Sequence, residues 1–447
     1  MPTTFSFALI VLTCLSPLLA AQQDFVKPRI INTTDLGADP DDEQSLVRQL
    51  VSSDLYDIEG LIVATGCWKK EQDNTAMLDK LVDAYGKAYP NLRVHAPGFP
   101  TPDHLKSISV LGQTGYGMGD VGTGKNSPGS DLIIASVDRD DPRPVWVMGW
   151  GGMNTVAQAI WTVRETRSPA ALAAFLSKLR LFDILGQDDA GAWIASTFPG
   201  VFYIRATKVY GWQPTDAYLD EHIQNHGPLG AVYPDRVWAT EGDSPAFLHV
   251  YPNGLNDPER IDQGGWGGRF SFDKQAGIRG MSEVAKIDPG AESGYDPYYM
   301  YGNTLTNEAQ DRWSDAIHDD FAARMDWTVT DDYTAANHHP VALLNGDTSR
   351  RVLTTRAAPG TSLALSAAGS HDPDGDDLSY RWTYYAAPGT YAGPVAVGDS
   401  TAARCSISIP EDAAGKQLHF ILEMRDEGTP GLTAYRRMIV DVSGGGG

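Results

Sequence analysis

From residue 28 to about 210, short apolar runs alternate with amphipathic stretches. The runs are RIINTTD (29–35), IEGLIVATG (58–66), RPVWVMGW (143–150), LRLFDILG (179–186) and GVFYIRA (200–206). Between them, SLVRQLVSSDL, NTAMLDKLVDAYGKAY, MNTVAQAIWTVRE and SPAALAAFLSKL carry apolar residues every third or fourth position. Buried strands alternating with helices predict βαβ units and a mainly parallel sheet covered on both faces. In such α/β sheets ligands bind beyond the carboxyl ends of the strands, where Asp35 stands.

Residues 207 to 310, rich in Gly, Pro, Trp and Tyr, predict long loops, some of them over the site. EAQDRWSDAIHDDFAARMDW (308–327) predicts a closing helix. After the polar stretch 330–340 the pattern becomes short alternating runs between turns, as in a small all-β, immunoglobulin-like sandwich. The expected organisation is an α/β domain over 28–330 and a sandwich over 338–445, with a flexible glycine end.

A chain of 447 residues with 42% hydrophobic and 21% charged residues can bury a substantial core. Its net charge of -22 argues against nucleic acid and anionic membranes as partners. Residues 1–21, MPTTFSFALIVLTCLSPLLAA, have the length and small-residue end of a cleaved signal peptide. The stretch is too short and too interrupted by Pro17 for a membrane span, and the expected destination is extracellular or periplasmic. Cys14 would leave with it, and Cys67 and Cys405 read as buried hydrophobes rather than disulfide partners.

TTDLGADPDDE (33–43) carries the chemistry. Asp39 as a cap, Pro40 in the first turn and Asp41 and Asp42 near a helix N-terminus have an ordinary structural reading. Asp35 does not, because the apolar run before it carries it into the interior, where an unpaired carboxylate is costly. A hard divalent cation such as Ca²⁺, which takes several carboxylate and carbonyl oxygens, resolves the conflict.

A strand ending in D-x-x-G, followed by an Asp-Asp pair opening a helix, resembles the signature of nucleoside hydrolases. The resemblance implies an α/β fold and a Ca²⁺ site that cleaves N-ribosides. It implies Asp35 as metal ligand and base for the attacking water, Asp42 as a second ligand and Asp41 as a sugar contact. Asp39 and Pro40 are then an insertion, and Thr33 replaces an Asp of the family motif. VWVMGWGGMNTVAQAI (145–160) resembles the family's next segment, which implies a Met153 carbonyl ligand and Asn154 as a substrate contact and helix cap. EGDSPAFLHV (241–250) resembles the family's His-Asp-Pro segment. That implies Asp243 as the last carboxylate ligand, with Gly242 in place of the His that handles the leaving base. The ribose-holding Asn and Glu residues of the family are not reproduced in ILGQDDAGAWIASTFPG (184–200). Gln187, Asp188, Asp189 and Trp193 are the candidates there for holding sugar hydroxyls.

Q-D-D, GPLGAVYP, GDSPAF and GGWGGRF together resemble a divergent branch of secreted nucleoside-hydrolase-like proteins. Some of these are labelled cellulose-binding and carry an immunoglobulin-like C-terminal domain. Trp68, Trp150, Trp193, Trp212, Trp266, Tyr116 and Tyr210, at strand ends or in glycine-rich loops, suggest a carbohydrate larger than a ribose. TGYGMGDVGTGKNSPGSD (114–131) fails the phosphate-loop pattern and predicts a mobile rim loop without a clear helix behind it. SAAGSHDPDGDDLSYRWTYY (366–385) resembles PKD-like and cadherin-like sandwich repeats. Its Asp372, Asp374 and Asp376 do not complete an EF-hand loop, so the expectation is a solvated turn, with a weak Ca²⁺ site as the alternative.

The expected function is a secreted Ca²⁺-dependent glycosidase acting on a carbohydrate by direct water attack, with Asp35 as base and inversion at the anomeric carbon. Glu241, His249 and His318 are the candidates for the leaving-group acid. The rival expectations are an extracellular nucleoside hydrolase and a noncatalytic carbohydrate-binding (cellulose-binding) protein. Oligomeric state is not legible in the sequence.

Overall fold

The computed structural model describes residues 25–304 and 308–444; the expected signal segment 1–21 lies outside them. β1 (Arg29–Thr34), β2 (Asp57–Val63), β3 (Ser109–Leu111), β4 (Val145–Gly149), β5 (Leu179–Ile184), β6 (Phe202–Ala206), β7 (Gln275–Ala276) and β8 (Tyr299–Gly302) form one sheet. Their order is β3-β2-β1-β4-β5-β6-β8-β7, and only the β7–β8 pairing is antiparallel. Chain order reverses at β1, which lies between β2 and β4. Sheets of this kind place their ligand crevice beyond the carboxyl ends of the strands at such a point.

α1 (Asp41–Val51), α2 (Ala76–His95), α3 (Pro102–Ser107), α4 (Pro128–Asp138), α5 (Asn154–Thr166), α6 (Pro169–Lys178) and α7 (Ala190–Thr197) connect the strands. Every residue of β1 is buried, as a central parallel strand requires. Ile30 faces the core that holds Leu46, Val47 and Leu50 of α1. Ile31 faces the opposite core, with Ile133 of α4 and Val156 of α5. Asn32, buried on β1, pairs its amide with that of Gln49 and fixes α1 over the strand.

The long segment after β6 holds short pieces: α8 (Asp216–Leu219), α9 (Gly227–Gly230), α10 (Ser244–His249) and α11 (Met281–Val284). It also holds β8, a sheet strand that loop-like composition concealed. α12 (Glu308–Asp326) follows. Behind the expected rim loop, α4 begins at Pro128 with a reciprocal Ser127–Ser130 capping box. The loop is pinned by Gln113 Nε2 to the carbonyls of Asp120 and Lys125, so the expectation of no clear helix was wrong.

β9 (Leu353–Ala357), β10 (Ser362–Ser366), β11 (Leu378–Tyr384), β12 (Ala396–Gly398), β13 (Arg404–Ser408), β14 (Gln417–Asp426) and β15 (Thr433–Val442) form the C-terminal sandwich. Its sheets run β10-β13-β12 and β11-β14-β15-β9. It packs on the α/β body. Arg437 donates to the carbonyls of Gln263 and Gly264, and Trp313 of α12 donates to Glu423 of β14. His95 of α2 bonds His338 at 3.1 Å, and His338 in turn contacts Asp374 at 2.9 Å.

Candidate metal centre

The C-terminal ends of β1, β2, β4 and β5 supply the crevice. Asp35 follows β1, the 65–68 turn follows β2, residues 150–154 follow β4 and residues 186–189 follow β5. Across from them, Asp41 and Asp42 open α1 and Asp243 precedes α10. Ligand atoms of Asp41, Asp42 and Asp243 all lie within 4.8 Å of one another.

Local sequence explains how position 243 reaches position 42. Gln44 and Arg48, one turn apart on α1, grip the turn that carries Asp243. The Gln44 side chain accepts the Glu241 N–H at 3.0 Å. Arg48 forms a two-pronged ion pair with Glu241, both fully buried, and its remaining nitrogen donates to Ile317 of α12. Tyr233 donates to the same carboxylate. Glu241 adopts a φ of 48°, a conformation few side chains accept, so this grip also stabilises a strained backbone. Asp243 occupies the N-cap position of α10, yet its side chain makes no capping bond and joins the carboxylates instead.

Electrostatics show an uncompensated cluster. Burial first, then Asp41 and Asp39, push Asp35 up to about 8, with Lys69 opposing. Burial and Asp39 push Asp41 up to about 7. Asp42 and Asp243 are held well above the usual carboxylate range by burial and by their acidic neighbours. Asp42 accepts a hydrogen bond from Thr34, whereas Asp35 Oδ2 is buried with no partner. An all-oxygen set of this kind fits a hard divalent cation. Oxygens 2.3–2.6 Å from a Ca²⁺ ion can stand up to about 5 Å apart, and a cation would relieve the repulsion that burial intensifies.

Glycines make the close approach possible. A Cβ on Gly66 would lie 2.0 Å from Asp35 Oδ2 and 2.6 Å from Gln187 Oε1. One on Gly151 would lie 2.8 Å from Asp35 Oδ1, and one on Gly152 2.4 Å from Asp188 Oδ2. No side chain fits at these positions. The sequence hint was the GWGG run after β4, whose meaning needed the fold.

The remaining expected site residues take several places. Asp188 accepts the backbone N–H groups of Asn154 and Ala190, each at 3.1 Å, so it positions the start of α5 and α7. Burial and Asp189 push it up to about 7. Asn154 donates to Thr65 Oγ1 and the Gly115 carbonyl, and its Oδ1 is buried without a partner. Gln187 ties to the Trp150 carbonyl at 2.5 Å and accepts Tyr116 at its backbone oxygen. Asp189 takes the Met118 N–H at 2.8 Å. The Met153 carbonyl accepts the Ala157 N–H of α5 at 2.9 Å, and its side chain packs in the core beside α5. Trp193 packs edge-on to Phe198 beneath Arg164.

The aromatic expectation divides three ways, with Trp193 and Tyr116 half-buried. Trp150, Trp212 and Trp266 are core residues, whereas Trp68 and Tyr210 are exposed at 61% and 38%. Of the acid candidates, Glu241 is held by Arg48, His249 contacts the Pro258 carbonyl and His318 that of Trp212. Sequence reasoning missed Thr34 as the partner of Asp42 and Tyr210 as the hydroxyl beside Asp41, at 3.4 Å.

The family described as cellulose-binding Sde182, nucleoside hydrolase-like domain, matches residues 29–270. The one described as cellulose-binding protein Sde0182, C-terminal domain, matches residues 362–442. No curated protein matches the chain. Among solved structures is a nucleoside hydrolase-related hypothetical protein from Saccharophagus degradans, associated with carbohydrate metabolism. It is 57% identical, with 94% of this chain and 100% of that chain covered and a TM-score of 0.90. Two others are too distant to bear on the site. The effector protein XOO4466 is 11% identical over 69% of this chain and 95% of its own, with a TM-score of 0.39. The PKD domain from KIAA 1837 protein is 17% identical over 21% of this chain and 86% of its own, with a TM-score of 0.17. With its crevice, its sheet order and both halves matched, the chain belongs to the cellulose-binding, nucleoside hydrolase-like Sde182 family.

Proposed function

We propose that this protein is a secreted glycoside hydrolase whose Asp41, Asp42 and Asp243, with Asp35, hold Ca²⁺ in the crevice. The observation that carries the reading is the close carboxylate trio beside a buried, unpartnered Asp35 oxygen. Bound Ca²⁺ would supply Lewis acidity and offset the charge of its ligands. The Met153 carbonyl, at the head of α5, is a further candidate donor. Asp35 takes the proton of the attacking water at Oδ2. Asn154 and Gln187 line the floor beside it, and Asp188 holds that floor in place. Attack by water without a covalent intermediate inverts the anomeric carbon.

A second reading is binding without turnover. It draws support from the engagement of Glu241, His249 and His318 elsewhere, which leaves the leaving group without an assigned acid. The test is a reducing-sugar screen over neutral oligosaccharides, with inosine and uridine as nucleoside arms, on protein stripped of metal and then reloaded with Ca²⁺. Release of sugar ends that is lost on stripping and in Asp35→Asn supports the hydrolase. Glycan binding with no turnover supports the second reading. Turnover indifferent to both metal and Asp35→Asn would sink the mechanism.

A further inference from the structure

Two exposed aromatic rings stand on turns that reach the carboxylates: Trp68 on the turn whose Gly66 abuts Asp35, and Tyr210 beside Asp41. Trp68 caps the turn after β2, which is closed by reciprocal backbone bonds between Gly66 and Lys69 at 3.0 and 3.2 Å. Gln72 ties the same turn to the Leu36 and Ala64 carbonyls, and Lys70 sits over the Tyr116 ring. The turn touches the site directly, because Gly66 abuts the Asp35 carboxylate. Trp68 is thus fixed two residues from Asp35's wall, with 61% of its surface in solvent.

Tyr210 is presented by an equally built loop. Its flanks Val209 and Trp212 are buried, Trp212 Nε1 and Gln213 Nε2 both donate to the Val209 carbonyl, and Gln213 Oε1 accepts the Gly211 N–H. The Asn303 side chain accepts the N–H groups of Thr207 and Lys208 at the loop's base. The phenol reaches Asp41 and fills the space above Gly242. A Cβ there would meet the Tyr210 hydroxyl and Asp41 Oδ2, each at 2.6 Å.

Both rings present surface to solvent, and both loops are tied by backbone and side-chain hydrogen bonds. An aromatic face packs against the C–H face of a pyranose while hydroxyls remain free to bond polar edges. The chain's net charge of -22 and the acidic crevice disfavour anionic polysaccharides. We infer that Trp68 and Tyr210 are the two sugar platforms of the crevice, gripping a neutral, unbranched glycan that crosses the carboxylates, with Tyr210 also closing the slot left by Gly242. The inference rests on the proposed glycan site and goes beyond it by naming the groups that select the ligand.

Cellohexaose is the probe, by calorimetry on Ca²⁺-loaded protein, with electrophoretic retardation in neutral and in carboxymethylated cellulose gels alongside. Trp68→Ala and Tyr210→Ala should each weaken cellohexaose binding about tenfold, while Tyr210→Phe, which keeps the ring, stays within about threefold. Calcium affinity, titrated on the same samples, should be unchanged in Trp68→Ala, which shows an intact fold. Trp238→Ala removes a ring that is 84% exposed on another loop and should leave binding unchanged. Wild-type binding of cellohexaose that survives both ring deletions overturns this inference and leaves the glycan site standing. Stronger retardation by the carboxymethylated gel than by the neutral one also overturns it. A wild-type protein that binds no neutral glycan overturns the functional reading and this inference together.

Discussion

At the scale of single residues, the crevice is defined by what each carboxylate lacks. Asp35 Oδ2 has no hydrogen-bond partner, and Asp243 stands at a helix start without capping it. Asp243→Asn and Asp42→Asn should each weaken Ca²⁺ binding about a hundredfold, read by calorimetry, because each removes a charged ligand from a small oxygen set. Wild-type affinity in both variants would refute the assignment. Gly66→Ala should lower stability by about 2–4 kcal/mol and abolish Ca²⁺ binding, since its methyl group would occupy the Asp35 carboxylate. Gly200→Ala, where nothing lies within 4 Å, is the matched control. Asp35 was legible in the sequence because an apolar run delivered a carboxylate into the interior. Asp41 and Tyr210 were less so: the clustering of the first with Asp243 and the contact of the second with Asp41 join positions far apart along the chain.

At the scale of elements, α1 does two jobs with one turn. Its N-terminus presents Asp41 and Asp42, and Gln44 and Arg48 fasten the strand of chain that brings Asp243. Arg48→Met should cost about 3–5 kcal/mol by leaving Glu241 buried and unpaired. Arg48→Met with Glu241→Leu should recover much of that in urea denaturation, though Ca²⁺ binding need not return with it. A single variant no less stable than the parent would show that the pair does not hold the turn. Strands and long helices were readable because burial on two faces and helical spacing leave opposite signatures. β8 and α4 were not. The four residues of β8 sit among Gly, Pro and Tyr and α4 follows a glycine-rich loop, and pairing supplied by β6 and capping supplied by Ser127 decide their form.

At the scale of the whole molecule, the sandwich acts as a brace. Tyr435 and Tyr385 pack edge-on against Trp313, and Tyr435 also against Trp266, so a chain ending at 330 would bare these rings. Such a chain should aggregate on size-exclusion chromatography; a monodisperse product with an unchanged melting temperature would show the brace to be dispensable. Acid should act through His249, which burial among Trp146, Phe182 and Phe270 holds down to about 4. The neutral ring is favoured by the fold, so its contribution is complete above pH 6.5 and lost as pH falls through 4. About 2 kcal/mol should go by about pH 5. Urea midpoints at neutral and mildly acid pH should converge in His249→Phe relative to the parent, whatever its absolute stability. A parallel pH dependence in parent and variant would acquit His249. The glycines crowding Asp35 and Asp188 have a further consequence for how this scaffold can change. Three neighbouring positions admit no side chain, so new specificities cannot be installed from the floor. Variation has to enter from the rims that carry Trp68 and Tyr210, and a combinatorial library should keep Gly66, Gly151 and Gly152 fixed while randomising those loops.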